Sequence, residues 1–128
     1  MIDLANLPPG AEEFLVERHL ATLTTLRADG SPHVVPVGFS YSAAERLARI
    51  ITFAPSFKAR NAARGGRAAV SQVDGGRWLT LEGQVRLATD AVSVAAAVKG
   101  YAARYRQPGE RPDRVAIEIV VDRIMGRA

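Results

Sequence analysis

The chain has 128 residues, 48% of them apolar and 23% charged, and 17 basic against 13 acidic residues leave it at +4 near neutral pH. A chain of this length is expected to fold as one domain, residues 1–128, and to bury about two-thirds of its unfolded surface. The absence of cysteine excludes disulfides, thiolate metal sites and thiol catalysis. No run approaches about eighteen apolar residues, and no basic segment followed by an apolar core opens the chain. The expectation is therefore a cytoplasmic protein with no membrane partner. Lysine occurs only at Lys58 and Lys99, so the positive charge is nearly all arginine, the residue for bidentate recognition of phosphate and carboxylate. The excess is too small and too dispersed for DNA, and it points to a small polyanionic ligand, not to nucleic acid.

In chain order, Pro8 and Pro9 followed by Glu12 and Glu13 predict a short helix in the N-terminal segment 1–18. The stretch HLATLTTLR is partly apolar on both faces, as in a barrel or sandwich strand. Asp29-Gly30 predicts a type I′ hairpin turn. The returning strand PHVVPVGFSY contains Pro36 and Gly38, so it is bent, bulged or at an edge, with backbone groups open to a flat heterocycle. Ser42–Arg46 then turns the chain into a strand at Leu47–Ala54.

The stretch IITFAPSFKARNA is the most informative. Pro55 ends an apolar strand, Ser56 stands where a helix N-cap stands, and Lys58, Arg60, Asn61 and Arg64 follow on a helix near 56–64. Unpaired amides at a helix start, together with Lys58, make an anion site; the alternative is a solvated basic surface. Gly65-Gly66 stops that helix. Arg67–Val73 reads as a strand, Asp74-Gly75-Gly76 as a turn, and Arg77–Ala88 as a strand with Leu79, Leu81, Gly83, Val85 and Leu87 on one face. Asp90 caps an alanine-rich helix near 90–105. After the loop QPGERPD, Val115, Ile117, Ile119 and Val121 alternate in a last strand. About six antiparallel strands joined by tight turns predict a mainly β fold, a small barrel with peripheral helices spanning residues 19–128.

Catalytic constellations are absent. His19 and His33 have no metal-ligand spacing and read as solvent-facing or locally satisfied. Glu82 and Glu118 are single acids within strands, read as facing solvent. No G-x-S-x-G, G-x-G-x-x-G or phosphate-binding P-loop occurs. Any reaction would then be carried by a bound cofactor, with the protein supplying position and electrostatics. Trp78, the lone tryptophan, either packs over a barrel end or lines a ligand slot or subunit interface.

From HLATLTTLRADGSPHVVPVGF through TFAPSFKARNAARGGRAAVSQVDGGRWLTLEG to RVAIEI, the chain resembles the split β-barrel flavin/deazaflavin oxidoreductases, relatives of pyridoxamine 5′-phosphate oxidase. The spacing of SFKARNA to SQVDGGRWLTLEG resembles most the actinobacterial branch that uses coenzyme F420, and within it a biliverdin-reductase-like subgroup. The resemblance implies that Thr52, Ser56 and Lys58 hold a phosphate. It also implies that Val35, Pro36 and Val37 line the cofactor ring, that Asn61 belongs to the site, and that Arg77 and Trp78 lie near the cofactor. Phe57 stands where the wider family's phosphate pattern has arginine, which favours the deazaflavin over FMN. The resemblance further implies a homodimer with cofactor sites at its interface, and a linear tetrapyrrole such as biliverdin as substrate, its propionates suited to arginines. The alternatives are an FMN enzyme of the oxidase type and a non-catalytic flavin- or haem-binding module using His19 or His33.

Overall fold

The computed structural model describes residues 1–128. In chain order the elements are α1 (Pro9–Val16), β1 (Ala21–Leu26), β2 (Pro32–Val37), β3 (Ser40–Ser42), β4 (Leu47–Phe53), α2 (Phe57–Ala63), β5 (Arg67–Asp74), β6 (Arg77–Ala88), α3 (Ala91–Arg104) and β7 (Arg114–Arg127). The strands form one sheet in the order β2-β1-β5-β6-β7-β4-β3, with every pairing antiparallel. Its two edge strands, β2 and β3, are consecutive in the chain and separated only by Gly38 and Phe39. So short a link spans about 11 Å at most. The two edges are therefore drawn together and the sheet must curl into a barrel. The curl does not close by hydrogen bonds: β3 pairs only with Leu47, Ala48 and Arg49, which leaves Ile50–Phe53 of β4 facing the free edge of β2. The barrel is split there.

Three expectations need correction. The sheet has seven strands, not about six, because β3 is three residues long and too short to show a period. The Asp29-Gly30 hairpin is not a type I′ turn, since only Gly30 has positive φ (85°). Instead Asp29 Oδ1 accepts from Ser31 N at 3.0 Å and Ser31 Oγ at 2.6 Å, and this local bonding selects a longer loop closed by Arg27 N donating to Ser31 O. Glu118 does not face solvent; it is 4% exposed, with Arg86 Nε at 2.7 Å and Arg49 Nε at 3.9 Å. Glu82 is half-buried, between Arg67 and Arg123.

The reason for the Glu118 error is that β7 is covered on both faces. Its inner face joins the core of Leu23, Val70, Leu79, Leu81, Ile117, Ile119 and Ile124, while Ala97 of α3 packs outside against Ala88 and Ala116. Beyond Val121 the strand continues through a bulge at Asp122, where Gly83 pairs with Val121 but Glu82 pairs with Arg123. His19 is locally satisfied by Glu17 Oε1 at 2.9 Å and by the Phe14 ring. The nitrogen Nδ1 of His33 is buried without a partner.

The seam is held by one side chain. Arg104, 8% exposed at the end of α3, donates Nη1 to Phe39 O (2.8 Å), Nη2 to Gln72 Oε1 (2.7 Å) and Phe14 O (3.3 Å), and Nε to Glu17 O (2.8 Å). Next to it, Tyr105 donates its hydroxyl to His19 O at 2.6 Å and accepts from Phe39 N at 3.1 Å. Together they tie α1, the β2–β3 link and β5 to the end of α3. Replacing Arg104 with methionine leaves three carbonyls and the Gln72 amide oxygen without these donors. Chemical denaturation is expected to show a loss of about 3 kcal/mol or more.

Candidate cofactor site

The split contains a cleft of about 370 Å³. Pro36, Val37 and Gly38 of the β2 edge form one wall and Ile50–Phe53 of β4 the other; Tyr101, Arg106, Arg111 and Arg114 close it from α3 and the following segment. Both strand walls are sheet edges, so their outward backbone N–H and C=O groups are free to pair with a flat ligand. Gly38 is required by close approach. A Cβ there would lie 3.0 Å from the Tyr105 ring and 3.1 Å from that of Tyr101, the two rings that stack on one another at 4.9 Å.

Lys58 enters the cleft because of how β4 ends. Pro55 breaks the strand, Ser56 N donates to Phe53 O at 3.0 Å, and Ser56 Oγ accepts from Ala59 N at 3.2 Å, so α2 begins with the expected cap. Thr52 Oγ1 donates to Ser56 Oγ at 3.0 Å, which fixes the two hydroxyls beside one another, both 8% exposed. The amide of Ala59 is thereby occupied, and the positive character of the site comes from side chains. Lys58 Nζ stands 5.9 Å from the Phe53 ring centroid with no carboxylate in ion-pair range. Its partial burial pushes its pKa below the ordinary lysine value.

Three arginines join it. Arg111 lies 4.2 Å from the centre of the Phe53 ring and pairs with Asp113 Oδ1 at 2.6 Å. Arg114 donates Nη1 to Gly109 O at 2.9 Å, and neither it nor Arg106 has a carboxylate partner. Of four cations around one cleft, then, only Arg111 is neutralised. No imidazole or carboxylate lines the space; what it offers is cationic side chains beside Pro36, Val37, Ile50, Ile51 and Phe53.

Among the residues named from sequence, Pro36, Val37, Thr52 and Lys58 line this cleft. Ser56 lies behind Thr52. Val35 packs against the core from the inner face of β2. Asn61 is buried at the barrel end, Nδ2 donating to Thr25 Oγ1 (3.0 Å) and Oδ1 accepting from Arg64 Nη2 (2.6 Å). Arg77 and Trp78 do not line the cleft; they begin β6, whose other end, Ala88, pairs with Ala116. Arg77 binds Glu17 at 3.1 Å and Asp74 at 2.8 Å, and Trp78 is 37% exposed on the outer face. Sequence reading missed Tyr101, Arg106, Arg111 and Arg114. The available signal was the arginine density across QPGERPD and its flanks, which the Pro/Gly content disguised as a plain linker.

An antiparallel barrel opened along one seam, with a cationic cleft in that seam, is the split barrel of the FMN-binding type. The chain belongs to the pyridoxamine 5′-phosphate oxidase family, whose profile matches residues 7–127. It is 52% identical over 123 residues to an F420H(2)-dependent biliverdin reductase of Mycobacterium tuberculosis (strain CDC 1551 / Oshkosh), covering 96% of this chain and 90% of that one. A solved F420 reductase is similar with a TM-score of 0.74 at 26% identity, covering 93% of this chain and 98% of that one. The fold is also that of HutZ, a haem storage protein of Vibrio cholerae, with a TM-score of 0.76 at 14% identity and 92% of each chain covered.

The cap beside Lys58 can be tested alone. Ser56→Ala removes both the Ala59 and the Thr52 hydrogen bonds and is expected to lower the unfolding free energy by about 1 kcal/mol in urea titration.

Proposed function

We propose that this protein is a coenzyme F420-dependent reductase that acts on a conjugated acceptor, with biliverdin the candidate substrate. The observation that carries the reading is Lys58, partly desolvated and without a carboxylate, in a seam flanked by Arg106, Arg114 and two open strand edges. The relative named F420H(2)-dependent biliverdin reductase supports the same reading. The donor set fits the coenzyme: a phosphodiester and an oligoglutamate tail are anionic, and charge-assisted hydrogen bonds to such groups are worth about 1.5–3 kcal/mol each. When bound, the reduced deazaflavin supplies the hydride.

The chain's own part is placement. Lys58 neutralises the phosphodiester, and the hydroxyls of Thr52 and Ser56 stand behind it. The backbone of Val35, Pro36 and Val37 forms the ledge for the ring. Asn61 holds α2 against Thr25 and so holds Lys58 in place. Phe57, 70% exposed, offers no second charge where the wider family has arginine, and this favours the deazaflavin over FMN. With no carboxylate or imidazole lining the cleft, rate enhancement would come from holding the acceptor against the ring.

A second copy of the chain completes the reading. The outer face of β2-β1-β5-β6 carries exposed Leu26, Val34, Val73 and Trp78, the apolar side chains on which a homodimer would seat. Arg77 and Trp78, remote from their own cleft, would then serve the cleft of the other copy. No helix is long and apolar enough to cross a membrane, and a cytoplasmic location is part of this proposal.

The decisive test sets fluorescence titration with the deazaflavin beside FMN, followed by coenzyme oxidation with biliverdin. Tighter binding of FMN, or no oxidation with biliverdin or other conjugated acceptors, would overturn the reading. Lys58→Ala is expected to weaken coenzyme binding tenfold or more, about 1.4 kcal/mol, with little change in melting temperature. Only protonated Lys58 attracts the anion, and its pKa lies below the usual lysine value. Affinity should therefore fall as pH rises through that lowered value, and Lys58→Arg should move the fall to higher pH.

A further inference from the structure

A second, shallower cleft of about 720 Å³ lies across the 106–114 segment from the first. One side is the start of α3, where Ala91, Val94 and Val98 form an apolar stripe; the other side is the 110–114 segment. Arg111 and Arg114 line both clefts, so the two spaces adjoin at these residues. Arg111 is already engaged by Asp113, whereas Arg114 makes a single hydrogen bond, to Gly109 O, and pairs with no carboxylate. Glu110 is the one carboxylate lining the second cleft, and it is exposed.

This combination selects a ligand class. A purely ionic chain would gain nothing from Val94 and Val98, and a neutral hydrophobe would leave a half-buried guanidinium without an anion. An amphiphilic carboxylate satisfies both walls: an apolar conjugated body against α3 and an acid arm on Arg114, in the bidentate geometry that arginine favours. We propose that the second cleft is the acceptor subsite, and that Arg114 is the specificity-determining residue that takes a carboxylate of the substrate at the junction with the coenzyme cleft. This rests on the reductase reading above. It accounts for Arg114 having no carboxylate partner within the chain, and it gives the propionates of a linear tetrapyrrole a defined anchor.

The test compares biliverdin with its dimethyl ester, on wild type, Arg114→Gln and Arg114→Lys. Two quantities are measured: KM with saturating reduced coenzyme, and the dissociation constant of biliverdin from its absorbance shift without coenzyme. Arg114→Gln is expected to raise both values for biliverdin tenfold or more and to leave the KM of the ester within about twofold. Arg114→Lys should recover part of the biliverdin affinity. Equal effects on acid and ester, or an unchanged dissociation constant for biliverdin, would overturn the subsite. Wild type that oxidises no coenzyme with either acceptor would instead overturn the reductase reading, and the binding titration would still decide the role of Arg114.

Discussion

The structure depends on a buried cation that has no counter-charge. Arg104 is surrounded by carbonyl oxygens of Phe14, Glu17 and Phe39 and by the amide of Gln72, and burial alone depresses its pKa. These acceptors belong to three parts of the chain far apart in sequence, which meet only because the sheet curls. The guanidinium fork donates in several directions at once, so one side chain reaches all of these acceptors, and it holds the barrel shut at one end of a seam that no strand pairing closes.

That seam is where the fold and the candidate site become the same object. The β2–β3 link is short, so the edges must approach; β3 is shorter than β4, so they cannot pair along their whole length. What remains between Pro36–Gly38 and Ile50–Phe53 is a slot with backbone on both sides. Into it project cations that the chain does not neutralise. Lys58, Arg106 and Arg114 have no carboxylate in ion-pair range within the chain. Uncompensated features of this kind are expected where a ligand completes the structure. Elsewhere several arginines are paired: Arg67 with Asp122, Arg77 with Glu17 and Asp74, and Arg86 with Glu118.

The two clefts divided by Arg111 and Arg114 also assign a purpose to the segment between α3 and β7. It is not a passive connection. Ala54 N donates to Asp113 O at 2.9 Å, so the segment is tied to the end of β4 beside Lys58. Arg111 and Arg114 are further tethered locally, to Asp113 and to Gly109 O.

Local chemistry determined a good deal. Ser56 and Asp90 as caps, the Gly65-Gly66 stop and the alternation of Arg77–Ala88 are effects within a few residues of each other, and the structure has each of them. The position of Lys58 in the first turn after the cap was legible for the same reason, a strand, a proline and a cap lying in direct succession. What the tertiary structure decided was everything that depends on which strands become neighbours. Glu118 is buried because α3 and two arginines arrive from elsewhere, and Arg104 is a central tie because three distant carbonyls converge on it. Arg77 and Trp78 stand far from Lys58 because β6 runs the length of the barrel, and Arg114 faces two clefts because the sheet curls. Sequence spacing carries short-range hydrogen bonding and periodicity; the meeting of distant segments is set by sheet order, and no window of residues contains it.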